Sequence, residues 1–185
     1  MDVFRWIAVV LSTVLGLGIA RILTGYVAAF KMRDRLNIDW LPMILAGAVL
    51  GEILQFWWAL VELGSRSAWS LADFTILVAL AMLLFLSAAL ISPSEADLDK
   101  RGNYFEKDGR WAMLVLALFH AVAIVANTWF WQQPLLSPDA LVVVMLGAIS
   151  LAAAMIRRRS VQQVAAVVYC LLSFLSTFIE SPASY

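Results

Sequence analysis

Three side chains in this sequence stand where ionisable chemistry is costly. Glu52, His120 and Arg21 each fall in or beside a run of about 20 apolar residues, and an ionised group at the centre of a bilayer costs about 2.5 to 3.5 kcal/mol on insertion scales. Glu52 lies about 12 residues into its run and His120 about 10 into its own, which at 1.5 Å per residue places both about 15 to 18 Å from one common side. A carboxyl and an imidazole at one depth suit a proton or ion path. Alone, Glu52 is protonated and can carry a proton; paired with Arg21, it is half of a structural ion pair. Arg21 itself has two placements, snorkelling to the interface if the first helix ends near Ala20 or buried at Glu52's level if that helix runs on to Phe30. For His120 the plainer reading is a hydrogen-bonded packing residue, since nothing near it in sequence completes a metal site.

Helical spacing extends these positions into stripes. Ala48, Glu52, Gln55, Ala59 and Glu62 recur at steps of four and three, which puts them on one helix face. His120 and Asn127 are seven residues apart on the fourth run, and Gln163, Ala166, Cys170, Ser173 and Thr177 form a third stripe on the sixth. The functional reading is a polar axis lined by the second, fourth and sixth helices; the plainer one is a set of interhelical hydrogen bonds worth about 1 kcal/mol each. Gly47 and Gly51 form a small-xxx-small pair suited to close helix contact. Tyr104 and Phe105, among Lys100, Arg101, Lys107 and Arg110, could meet an anionic leaflet or a partner protein.

Other membrane chemistries lack their residues. One histidine cannot supply paired imidazole ligands to a haem, no lysine stands within a span to form a retinal Schiff base, and no arginine ladder suits a voltage sensor. Hydrolase and phosphate-loop motifs are absent as well. Catalysis is therefore the least supported class, and no cofactor or metal is expected.

The elements that must position these residues are helices. Of 185 residues 63% are hydrophobic and 14% charged, whereas soluble domains are about half apolar and a quarter charged. A chain this short cannot bury that much apolar surface internally. Six runs are long enough to cross a hydrocarbon core of about 30 Å: about 3–22, 41–63, 71–91, 111–131, 138–156 and 161–179. Caps mark their ends: Asp39 before the second, a Ser70/Asp73 capping box before the third, Ser137 with Pro138 before the fifth, and Ser160 with Gln163 before the sixth. The third run, plain Leu, Ala, Phe and Met, reads as the most lipid-exposed. Residues 92–110 form a polar loop.

Charge placement orients the runs. Thirteen basic residues balance thirteen acidic ones, so nothing supports nucleic-acid binding. Ten of the basic residues fall between runs one and two (Lys31, Arg33, Arg35), three and four (Lys100, Arg101, Lys107, Arg110) and five and six (Arg157, Arg158, Arg159). By the positive-inside rule those connections are cytoplasmic. The first run, opening on Asp2 and a single Arg5, reads as an uncleaved, reverse-oriented anchor. The expectation is an all-α, polytopic integral membrane protein: a single bundle of six transmembrane helices, both termini on the non-cytoplasmic side, of a cell membrane such as a bacterial inner membrane. Two functions compete: permeation or proton- or ion-coupled transport through an interior centred on Glu52, and an accessory or scaffold role. Beyond the lipid bilayer, the expected partner is a second copy or another membrane protein.

Overall fold

In a computed structural model, residues 3–33, 39–94 and 104–179 are described, with side chains through residue 176. All regular structure among them is helical. The six long helices are α1 (Val3–Met32), α2 (Trp40–Glu62), α3 (Leu71–Ile91), α4 (Arg110–Phe130), α5 (Pro138–Met155) and α6 (Arg159–Ile179). All six are long and apolar enough to cross a membrane. A 3-10 turn, Leu63–Ser65, closes α2, and a π turn, Phe105–Gly109, leads into α4.

Local chemistry starts three helices where the sequence predicts. The Asp39 carboxylate accepts from Leu41 N (3.1 Å), and Ser137 Oγ from Ala140 N (3.1 Å) with Pro138 in the first turn. At α3, Ser70 Oγ accepts from Asp73 N (3.1 Å) while Asp73 Oδ2 accepts from Ser70 N (2.8 Å). Each such cap satisfies donors that a helix start leaves without partners. The sixth helix departs from expectation. It begins at Arg159, before the predicted Ser160 cap, and Gln162 N already donates to Arg158 O. Arg159 is held by the carboxylates of Asp39 and Glu106, and that anchor draws the first turn back past Ser160.

Packing follows the order α1, α3, α4, α5, α6, α2 and back to α1, with α2 also against α3. The α1 start stacks Phe4 on Trp69 (5.6 Å between centroids), so α1 enters at the end of the bundle that carries the α2–α3 turn. We call this the Trp69 end, and the opposite one the Arg159 end.

Two expectations are corrected here. The third helix is not the most lipid-exposed: Leu77, Leu80, Ala81, Leu84, Ala88 and Ile91 are buried against α1, α2 and α4. Leu and Ala suit lipid and protein contact equally, so their type does not tell the two apart. The π turn also draws part of the 92–110 loop into the helical bundle. Residues 95–103, including Lys100 and Arg101, lie outside the described residues.

Candidate functional site

Glu52 is the thirteenth residue of α2, about 18 Å along the helix from Trp40 at 1.5 Å per residue. It is 5% exposed. Its Oε1 accepts two hydrogen bonds from α6, from Tyr169 Oη (2.9 Å) and Ser173 Oγ (2.8 Å). Tyr169 is fully buried, and its hydroxyl also lies 2.9 Å from His120 Nε2 on α4. The phenol has one proton, and that proton goes to Glu52. His120 must then donate from Nε2, which fixes its tautomer. The result is a directed chain, His120 to Tyr169 to Glu52, that crosses from α4 through α6 to α2.

Neighbouring groups hold this chain in place. Gln55 Nε2 donates to the Ser173 carbonyl (3.0 Å), tying α2 to α6 one turn further on. Phe119 packs edge-on to His120 (5.2 Å) and to Phe56 (6.4 Å). Gly147 brings α5 against the imidazole, for a Cβ there would lie 3.1 Å from His120 Cβ. A larger residue would push α5 away.

The two ends of the chain, Glu52 and His120, lie at the floor of a cavity of about 750 Å³ between α2, α4, α5 and α6, with Tyr169 behind them. Glu52, Gln55, His120 and Asn127, all singled out by sequence, line it together. Glu62, Gln133 and Asp139 line the part toward the Trp69 end. No lining residue comes from the half of α2 before Gly51 or from α6 before Phe174, so the cavity occupies one half of the bundle's length. Below the floor, Arg159 joins α6 to Asp39 at the start of α2 and to Glu106 (3.2 Å) before α4. The helix α4 ends through Gln132 in the left-handed region (φ 52°), and both Trp131 N and Gln133 N donate to the Asn127 carbonyl. That tight end sets Trp131 and Gln133 on the cavity wall.

Other singled-out residues are placed elsewhere. Arg21 does not join the floor; α1 runs on past it to Met32, and its Nη2 donates to the Ser92 carbonyl (2.7 Å) at the end of α3. It thereby satisfies an orphan carbonyl at a helix C-terminus. On α6 the buried face is Gln162, Ala166, Tyr169, Ser173 and Ser176; Ala166 and Ser173 belong to the stripe the sequence singles out, while Gln162 and Tyr169 take the places expected for Gln163 and Cys170. Gln163 and Cys170 are half-buried at its edge, Cys170 Sγ facing Ile44 O at 3.5 Å. Thr177 lies beyond the described side chains. Tyr104 and Phe105 are turned inward: Tyr104 Oη donates to Leu90 O (2.7 Å), and Phe105 is fully buried over Gly109, where a Cβ would approach its ring to 2.7 Å. Phe105 is therefore withheld from the surface, whereas Tyr104 stays partly exposed. Gly47 has Tyr26 Oη beside it, whereas a Cβ on Gly51 would meet nothing within 4 Å. Both glycines line a groove of about 590 Å³ on α1, α2 and α6.

Tyr169 is the residue that sequence reasoning missed. Its signal was available: a tyrosine in the middle of an apolar run, away from the interfaces where tyrosines collect, needs a partner for its hydroxyl. No protein-family model, curated protein or solved structure matches this chain.

Proposed function

We propose that this is a multi-pass protein of a cell membrane, of the bacterial inner-membrane kind, that moves protons or a small proton-coupled solute through the cavity above Glu52. The observation that carries this reading is the hydrogen-bonded chain from His120 through Tyr169 to Glu52, whose two ends line that cavity. A buried carboxyl held by two hydroxyls and reached through an imidazole is suited to receiving a proton. A proton arriving at His120 Nδ1 lets Nε2 pass its own to the Tyr169 oxygen, and Tyr169 passes its own to Glu52 Oε1. The net result is one proton moved to Glu52, with the imidazole left protonated on Nδ1 only. The basic residues at the Arg159 end support an orientation in which that end is cytoplasmic, so the cavity faces the opposite side. The start of α1 and the end of α6 then lie away from the cytoplasm.

The test is flux in proteoliposomes holding the purified chain. With an imposed membrane potential and a pH-sensitive dye inside, the native protein is expected to pass protons and Glu52→Gln to reduce the flux at least about tenfold, the equivalent of about 1.4 kcal/mol. Flux of H⁺, Na⁺ and K⁺ indifferent to that change rejects the reading. A second reading, an accessory or scaffold subunit bound to another membrane protein or to its own copy, is favoured by the groove at Gly47 and Gly51. It predicts a chain without flux of its own that co-purifies with a partner.

A further inference from the structure

Both ends of the relay line one cavity. Glu52 and His120 each face the space in the Trp69 half of the bundle, so a proton passed along His120, Tyr169 and Glu52 returns to the side it came from. Net transfer needs a second state in which the same groups open toward the Arg159 end. In the structure that route is sealed. Leu45 and Val49 on α2, Met113 and Leu116 on α4 and Ala166 on α6 stand between the floor and the Arg159 end along their helices, and all five are shut from solvent.

A clamp on α6 holds this seal. The helix packs on α2 and α5 and reaches α4 with side chains: Tyr169 to His120 at the floor (2.9 Å) and Arg159 to Glu106 at the end (3.2 Å). Arg159 also bonds Asp39 at the start of α2 and lies by the Phe105 ring, 5.9 Å from its centroid. Arg157 and Arg158 beside it are exposed, whereas Arg159 turns inward. One guanidinium thus ties together the starts of the same three helices that carry Glu52, His120 and Tyr169.

Two features make the clamp releasable. The side chains of Arg159, Asp39 and Glu106 are 34%, 23% and 31% exposed, so water can replace each partner, whereas parting a fully buried pair would leave bare charges behind. The closed form also carries a cost. Among the described residues, Glu106 Oε2 and, one turn into α6, Gln162 Oε1 are sealed from solvent without a hydrogen-bond donor, and water entering at this end would satisfy both. Glu106 stands in the π turn Phe105–Gly109, a form of helix found often at functional sites.

We propose that Arg159 gates the transport cycle: bound to Asp39 and Glu106 it holds its end of the bundle shut, and its release parts the start of α6 from α2 and α4, opening Glu52 to that end while the cavity closes. This rests on the transport reading and supplies the second state that reading requires.

The test is cysteine reactivity in phosphatidylcholine nanodiscs, where both ends of the protein meet water, with Cys170→Ala as the background. Leu45→Cys reports the sealed segment and Ala123→Cys, on the cavity wall, the Trp69 side; the probe is a small, membrane-impermeant, cationic thiosulfonate. Arg159→Gln is expected to raise the rate at Leu45→Cys at least about tenfold and to lower that at Ala123→Cys about twofold, as when a minor state grows from about 5% to about half of the molecules. Glu106→Gln, which removes one ion pair and keeps Arg159 on Asp39, is expected to move both rates in the same directions by less, and it carries the test alone if Arg159→Gln does not fold. A rise at Leu45→Cys with an unchanged rate at Ala123→Cys means that α6 merely frays, and overturns the gate; so does indifference at both positions. Glu52-dependent proton flux without this exchange rejects the gate and keeps the transport reading, whereas the exchange in a protein without flux keeps the gate and rejects transport.

Discussion

Replacing Tyr169 by Phe removes one oxygen and leaves the ring, so the outcome isolates the hydroxyl. That oxygen makes two hydrogen bonds at 2.9 Å, one to Glu52 and one from His120, in a place fully shut from solvent. Hydrogen bonds between membrane helices contribute about 0.6 kcal/mol on average and up to about 1.7, so losing two costs about 1 to 3 kcal/mol. Ser173→Ala removes a single bond to the same Glu52 oxygen and should cost about half as much. Glu52 keeps one donor in either variant, whereas only Tyr169→Phe strips the His120 Nε2 of its partner. Reversible unfolding by sodium dodecyl sulfate in mixed micelles, followed by tryptophan fluorescence, measures the difference. Proton flux then separates structure from relay: Tyr169→Phe should lower it about tenfold, and Ser173→Ala should leave it near the native value, because only the phenol connects imidazole to carboxyl. A folded Tyr169→Phe protein with native flux refutes the relay. A cost no larger than that of Ser173→Ala refutes the claim that the hydroxyl serves both neighbours.

Two further substitutions test the frame around the site. Asp73 is buried at the start of α3, accepts from Ser70 N and Trp129 Nε1 (2.7 Å), and faces Arg66 at 3.4 Å; Asp73→Ala should cost about 2 to 4 kcal/mol in the same titration, and a loss below about 0.5 would contradict the shared role of that carboxylate. Gly147→Leu should cost about 1 to 3 kcal/mol by driving α5 from His120, whereas Gly51→Leu, with open space around its Cβ, should change stability by less than about 0.5 kcal/mol; equal effects would mean that the two glycines do not differ as the packing implies.

How much of the site could be read in advance depended on which physical signal each residue leaves. Glu52, His120, Gln55 and Asn127 are polar side chains in apolar runs, a contrast visible in any alignment of the letters on a helix, and all four line one cavity. Tyr169 was passed over because a tyrosine is half apolar and its hydroxyl is decisive only when buried. Arg21 shows the opposite limit. Its type and depth allowed a salt bridge with Glu52, yet its reach was decided by α1 running on to Met32 and by the open carbonyl at Ser92.

The sequence alone determines that six helices form that are long and apolar enough to cross a membrane, because length and apolar content are properties of each segment by itself. It also determines local starts such as Ser70 with Asp73, whose partners are three residues apart. Only the tertiary structure decided which faces meet. Leu80 on α3 and Leu171 on α6 are the same residue type; one is buried and the other exposed. In water, burial separates apolar from polar faces and leaves a periodic trace. For a helix that faces lipid, lipid and protein neighbours are alike to a leucine, so apolar letters do not mark the packed face, and packing selected Tyr169, rather than Cys170 beside it, to hold Glu52.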